Sequence, residues 1–380
     1  MKILYHHRTR SRDGQRVHID GLIGAMRRAG HEVFEVGPES HENEDHGRVS
    51  RSRGYLRPLR EAAEMAYNVV EIRQLQRAVR EVRPDALYSR HALYCQAPAA
   101  IARRAGLPWI VEVNAPLAQE RARHGGLSFP QWARRSETRF LNQAGRVVVV
   151  TEVMRDIMIE QGVGAQRIEV HYNGIDPTQP EPALDAVEAL RRQRSLENRT
   201  VLGFVGFVRD WNRLERVYQC LRARPDTVFL VVGDGPDCRR LQQRAEQEGV
   251  AGQVQFLGAV SHSDVPLHVR LFDVALIPET PIYASPLKLL DYLAAGRCIL
   301  APDRANLRQV LQHGDNAYLF DSEQDESFQT MLGELAGDVA LRRRLGDSSR
   351  GTIDRLQLTW DHNASRVVQQ FEALQRGGAA

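Results

Sequence analysis

Short β-branched runs alternate with longer amphipathic stretches along this chain, twice over, and a proline-rich break parts the two series. The first series of runs covers residues 3–5, 32–36, 86–88, 109–113, 146–150 and 168–171. The second covers 201–207, 227–232, 253–257, 273–277, 297–300 and 318–320. Helical patterns lie between them, such as 18–29 ending at Gly30 and 68–82 before Pro84. Strand–helix alternation of this kind predicts parallel sheets with helices on both faces. The break runs from Asn173 to Asp185 and holds Pro177, Pro180 and Pro182 after an Asn173-Gly174 turn signal. The expectation is an α/β chain of two Rossmann-like, doubly wound domains, residues 1–175 and 176–359, facing one another across a cleft. Ligands of such sheets bind at the carboxyl ends of the strands, so the loops there carry the search for function.

A length of 380 residues accommodates two domains of this kind. The net charge of +3 disfavours a nucleic-acid binder held by overall charge. Cys95, Cys220, Cys238 and Cys298 are scattered without a CxxC, which argues against a zinc site or a disulfide framework. No apolar run approaches the ~20 residues of a membrane span, and the opening MKILYHH reads as a first strand, so a cytoplasmic protein is expected. There is no D-x-D, G-x-S-x-G, GxxxxGK[ST] or HExxH.

The stretch IYASPLKLLDYLAAGRCIL, residues 282–300, is the most informative one. Of 51 basic residues only Lys2 and Lys288 are lysine, so Lys288 marks a place that wants a compact ammonium rather than a planar fork. Ser285 is placed to cap a helix, Pro286 to occupy its first position and Gly296 to stop it. Leu287, Leu290 and Ala294 fall on its core face, while Lys288 and Asp291 share another. A helix N-terminus with a lysine in its first turn and a carboxylate one turn on can hold a nucleotide, phosphates at the positive end and ribose hydroxyls on the carboxylate. An exposed ion pair of little consequence is the other reading.

Further strand-end features surround it. Gly203-Phe204-Val205-Gly206 closes the first run of the second series and precedes Arg209, Asn212 and Arg213; glycines there let backbone approach a phosphate. Gly233-Asp234-Gly235 and Phe256-Leu257-Gly258 close the next two. In the first series, Gly14 sits among basic residues after the first run, and Asn114, in Glu112-Val113-Asn114-Ala115-Pro116, offers a donor and an acceptor to a sugar hydroxyl. Arg48 to Arg60, with five arginines, Tyr55, Leu56 and Leu59 and no acidic residue, suits either a solvated loop or an anionic membrane surface.

Together these segments resemble bacterial glycosyltransferases of family four, the retaining, metal-independent enzymes of the GT-B fold. The resemblance runs from MKILYHHRTR…DGQRVHIDGLIGAMRRAGHEV through VVVVTEVMRD…HYNGIDP, FVGFVRDW, VVGDGPDCRRL and VQFLGAV to SPLKLLDYLAAGRCILAPD and TWDHNASRVVQQFEAL. SPLKLLDYLAAG with EVNAP looks like a branch tied to exopolysaccharide and lipid-linked glycan assembly. The resemblance implies a transferase that takes a sugar from a nucleoside diphosphate sugar, with no other cofactor, to a glycan or polyprenyl-diphosphate-linked acceptor; the run from Arg48 to Arg60, on its membrane reading, would place it peripherally on the inner face of the cell membrane. It implies catalytic roles for Arg209 and Lys288 at the diphosphate and for Asn114 near the transferred sugar. Donor contacts would come from Gly14, Gly206, Arg213, Gly235, Val260, Tyr283, Ser285, Pro286, Leu287 and Asp291, and the helix at 360–378 would return to the first domain. Three positions depart from the family pattern: Tyr283 replaces the first glutamate of E-x7-E, Asn212 a phosphate-binding lysine, and Asn114 a histidine. A non-catalytic sugar-nucleotide-binding scaffold, or a GT-B sugar-nucleotide epimerase, are the alternative readings.

Overall fold

A computed structural model describes residues 1–10, 14–38, 57–123 and 125–377. The chain forms two compact units: Met1–Tyr172 with the chain from Trp360 onward, and Asn173–Thr359. The break expected after residue 175 thus falls after Tyr172.

In the first unit the strands are β1 (Lys2–His6), β2 (Glu32–Val36), β3 (Ala86–Arg90), β4 (Trp109–Val113), β5 (Arg146–Val149) and β6 (Ile168–Val170). They pair in parallel in the order β2-β1-β3-β4-β5-β6. The second unit holds β7 (Thr200–Val205), β8 (Thr227–Val232), β9 (Val254–Phe256), β10 (Val274–Leu276), β11 (Cys298–Pro302) and β12 (Tyr318–Phe320), also parallel, in the order β12-β11-β10-β7-β8-β9. Helices covering both faces of a parallel sheet bury its central strands completely, and β4 and β8 are accordingly buried at every residue. In both sheets the chain direction of winding reverses, between β1 and β3 and between β7 and β10. Such reversals open a crevice outside the strand ends.

Packing between sheet and helices is tight enough to dictate residue type. A Cβ on Gly203 would lie 2.1 Å from the ring of Phe272, so only glycine admits that ring against β7. In the first unit, Gly21 does the same for Trp360, whose ring also meets His18 at 4.7 Å. Trp360 opens the helix Trp360–Gly377, which Asn363 ties to the Tyr172 carbonyl at 2.7 Å. This last helix therefore packs on the helix Gly14–Arg28 of the first unit.

Several boundaries differ from the expected ones. The first helix starts at Gly14 instead of 18, so Gly14 opens a helix and is not in the loop before it. β7 stops at Val205 because Gly206 turns the chain with a φ of +126°. Residues 48–56 of the basic segment lie outside the described residues, while Arg57 and Arg60 belong to the helix Arg57–Ala66.

Candidate active site

The crevice of the second sheet lies where β7 and β10 part, and Lys288 reaches into that end of β7. Its Nζ sits 3.6 Å from the centre of the Phe204 ring. A Cβ on Gly206 would stand 3.1 Å from the same nitrogen, so the glycine makes room for the ammonium. Lys288 belongs to the first turn of the helix Leu287–Ala294, and Asp291 follows one turn later. Neither side chain makes a hydrogen bond or ion pair with any other described residue. Burial lowers the Lys288 pKa to about 7, partly opposed by Asp291, and raises that of Asp291 to about 7, partly opposed by Lys288. A desolvated cation and a desolvated carboxylate without close partners form a site that an anion and a hydroxyl pair would complete.

The start of this helix corrects one expectation. Pro286 is the N-cap, with a φ of −69° and ψ of 122°, and Leu287 is the first helical residue. Ser285 does not cap; its Oγ accepts the Asn173 N–H at 3.4 Å, and its carbonyl accepts the Asn173 carboxamide at 2.8 Å. Leu289, Leu290, Tyr292 and Leu293 form the buried face, so Leu287 and Ala294 are only partly buried. Gly296, at φ +60°, ends the helix as expected from its place in the sequence.

The neighbouring glycine turns serve one another. A Cβ on Gly233 would lie 2.0 Å from the Gly206 carbonyl oxygen, and one on Gly235 would lie 2.0 Å from that of Val208. The turns after β7 and β8 are cross-linked by Val208 N–H to the Asp234 carbonyl at 2.9 Å. Gly258 accepts from Gly233 at 2.8 Å, with half-buried Val260 just beyond. Their backbones therefore form one wall from which side chains are excluded.

The Arg209 guanidinium lies against the rings of Phe207 and Trp211, 4.6 and 4.7 Å from their centres. Asn212, buried, holds the Arg209 N–H at 2.9 Å and is not aimed outward. Arg213 pairs with Asp325 at 3.3 Å beside the buried Arg216. Its charge is thus already neutralised within the fold. Tyr283 is buried, in a turn that Asn306 fastens through the carbonyls of Pro281 and Ala284. Glu279, the nearest carboxylate that could stand in for the missing glutamate, is engaged by Arg304 at 3.1 Å and by the Thr280 N–H at 3.0 Å.

In the first unit the strand ends gather a buried polar network that the sequence did not announce. Glu112, on β4, accepts from His18, Tyr88 and Arg90, each at 2.8 Å, and from the Asn114 carboxamide. Burial alone would raise its pKa; His18, Arg90 and Asn114 outweigh that and hold it well below the usual carboxylate range. Elsewhere in this unit the buried Glu71 takes Arg8 and His6, and the exposed Glu35 takes the buried His7 at 2.8 Å. The only local hint was a charge inside the apolar run WIVEV.

Comparison with known proteins bears on this arrangement. Residues 12–179 match the family described as Glycosyltransferase Family 4, and residues 187–352 match Glycosyl transferases group 1. A GDP-mannose-dependent alpha-(1-6)-phosphatidylinositol monomannoside mannosyltransferase of Mycolicibacterium smegmatis is 23% identical over 369 residues, 94% of each chain. A 2-deoxystreptamine glucosyltransferase of Streptomyces kanamyceticus is 30% identical over 146 residues, which is 37% of this chain and 38% of that relative. Among solved structures, Anabaena HepE in complex with UDP and glucose superimposes with a TM-score of 0.75 at 16% identity, covering 98% of this chain and 100% of that one. The sucrose-phosphate synthase of Thermosynechococcus elongatus does so with a TM-score of 0.77 at 14% identity, covering 99% and 100%. With both halves matched in order and both sheets wound as described, the chain belongs among the glycosyltransferases of the GT-B fold.

Proposed function

We propose that this glycosyltransferase moves a sugar, with retention at the anomeric carbon and without a metal, from a nucleoside diphosphate sugar to a glycan or lipid-linked acceptor in polysaccharide assembly. The observation that carries the donor assignment is Lys288: a desolvated ammonium at the start of a helix, beside Gly206, with no ion pair to any described residue. Glycosidic cleavage leaves negative charge on the departing diphosphate. A fixed cation and a helix N-terminus stabilise that charge without reorganising when it forms. Asp291, one turn on, suits ribose hydroxyls, and Arg209 adds a second positive charge near the Gly206 turn. The GDP-mannose dependence of the mycobacterial relative makes GDP-linked sugars one donor class to try, and the UDP of HepE another.

The acceptor end of the proposal includes an anionic membrane surface. No helix among the described residues is long and apolar enough to cross a membrane. The helix Arg57–Ala66 exposes Leu59 beside Arg57 and Arg60, and the first unit also exposes Phe129 and Trp132. Apolar side chains among arginines suit shallow attachment to anionic lipid.

The test is to supply UDP-, GDP- and ADP-sugars with lipid-linked glycan extract in the presence of EDTA. Product bonds would be read by NMR. Transfer with the donor's anomeric configuration supports the proposal. Inversion removes retention, silence in EDTA that a divalent cation relieves removes metal independence, and nucleotide binding without any turnover leaves the scaffold reading. Co-sedimentation with phosphatidylglycerol vesicles, lost in Arg57→Glu/Arg60→Glu, supports the membrane contact; equal sedimentation of parent and variant ends it.

A further inference from the structure

The Glu112 carboxylate is surrounded by four donors drawn from the first helix, from β3 and from the end of β4. An ionised carboxylate offers about four lone-pair sites and no proton, so these donors fill it. It has nothing left with which to take a proton from a substrate. The consequence falls on Asn114. A carboxamide beside an acceptor-only group must turn its NH2 toward it, which fixes which end of Asn114 faces Glu112. The opposite end, Oδ1, has no hydrogen-bond partner among the described residues. Asn114 is half-buried and stands just past the carboxyl end of β4, where ligands of such sheets bind.

We infer that Glu112 is a positioning residue that locks Asn114 so that an acceptor oxygen, and not a donor, is presented to one hydroxyl of a sugar substrate. This rests on the glycosyl-transfer reading and adds to it the polarity of one contact. A hydroxyl on the donor sugar and one on the acceptor sugar share that chemistry. In either case a substrate deoxygenated at that carbon leaves Oδ1 unpaired and is discriminated against.

Asn114→Ala and Asn114→Asp test the inference while leaving Glu112 and its donors His18, Tyr88 and Arg90 in place. Alanine removes the oxygen. Aspartate supplies oxygens but has no N–H to give Glu112, whose charge repels it. Parent and variants are assayed for kcat/KM with UDP- and GDP-linked glucose and mannose and their monodeoxy counterparts. Alkyl glycosides and their monodeoxy counterparts serve as acceptors. Both variants are expected to lose at least about tenfold, the worth of one well-made hydrogen bond. On one monodeoxy substrate, parent and variants should agree within about twofold; a donor analogue or an acceptor analogue in that role says which sugar is read. An Asn114→Asp enzyme as active as the parent overturns the inference, because Glu112 would then not matter. A loss equal on every analogue overturns it too, since that is what a merely structural role gives. A parent that transfers sugar from no donor, although a nucleotide sugar raises its melting temperature, refutes the transfer reading and this inference with it. A parent that transfers normally while Asn114→Ala matches it refutes the inference alone.

Discussion

Replacing Lys288 by methionine should make the free protein more stable while removing its response to nucleotide. Burial brings the ammonium from 10.5 to about 7, with Asp291 pulling it part of the way back. Each tenfold loss of proton affinity is worth ~1.4 kcal/mol, so the charged form costs at most about 5 kcal/mol. Lys288 is only partly buried, and access of water brings this to about 2 kcal/mol. Against it stands the Phe204 ring, 3.6 Å from Nζ, worth about 1 kcal/mol. Methionine keeps part of that contact through sulfur. The net gain is about 1–1.5 kcal/mol, or roughly 2–5 °C for a domain of this size.

The gain has a defined pH window. Below about pH 7 the folded and unfolded chains both hold the Lys288 proton, and the parent bears the full cost. From about 7 to 10.5 the folded chain releases the proton first, so the parent's stability rises with pH and the variant's advantage shrinks. Asp291 works in the same sense, since its carboxylate forms less readily without Lys288 beside it. Calorimetric melting near pH 6.5 and 9.5, with and without UDP, GDP and ADP, measures all of this. A nucleotide at about 100 times its Kd adds about 2.7 kcal/mol to the parent, and nothing comparable to the variant. A variant that melts more than about 2 °C below the parent at the lower pH, or that keeps the full nucleotide shift, refutes the reasoning.

Other perturbations follow from single contacts. Gly203→Ala drives a methyl to within 2.1 Å of the Phe272 ring and should cost about 1–3 kcal/mol; urea unfolding should show it, with Phe272→Leu restoring part of the loss. His171, lowered to about 3 by burial and by Arg366, should withdraw stability as pH falls from 6.5 toward 3, because the unfolded chain takes the proton first. Glu71, held at about 2 by His6 and Arg8 against the effect of burial, should withdraw more between about 4.5 and 2. Urea midpoints at descending pH should therefore fall in the parent and fall less, between about 6.5 and 4, in His171→Gln; superimposable profiles would contradict the assignment.

The alternation of runs located every strand of the described residues because parallel strands buried on both faces are short apolar segments, and few other local patterns imitate them. Their ends were harder. Whether β7 continues to Phe207 depends on the backbone of Gly206, whose φ of +126° answers to Lys288 and to the Gly233 turn. Lys288 was legible because lysine is rare here and the residues around it mark a helix start. The cap was misread because Asn173, 112 residues away, competes for Ser285. Distance in sequence hid the rest: Arg213 reads as an available cation until Asp325 meets it, and Glu112 as an oddity in a strand until His18, Tyr88 and Arg90 converge on it.

The proposed donor site holds a nucleoside diphosphate through Lys288 and Asp291. Titration calorimetry of UDP, GDP and ADP in EDTA, against the parent, Lys288→Ala and Asp291→Ala, tests it directly. One nucleotide should bind the parent and bind each variant at least about tenfold more weakly, a loss of ~1.4 kcal/mol. Absence of binding by all three nucleotides, or equal affinity in parent and Lys288→Ala, would contradict it.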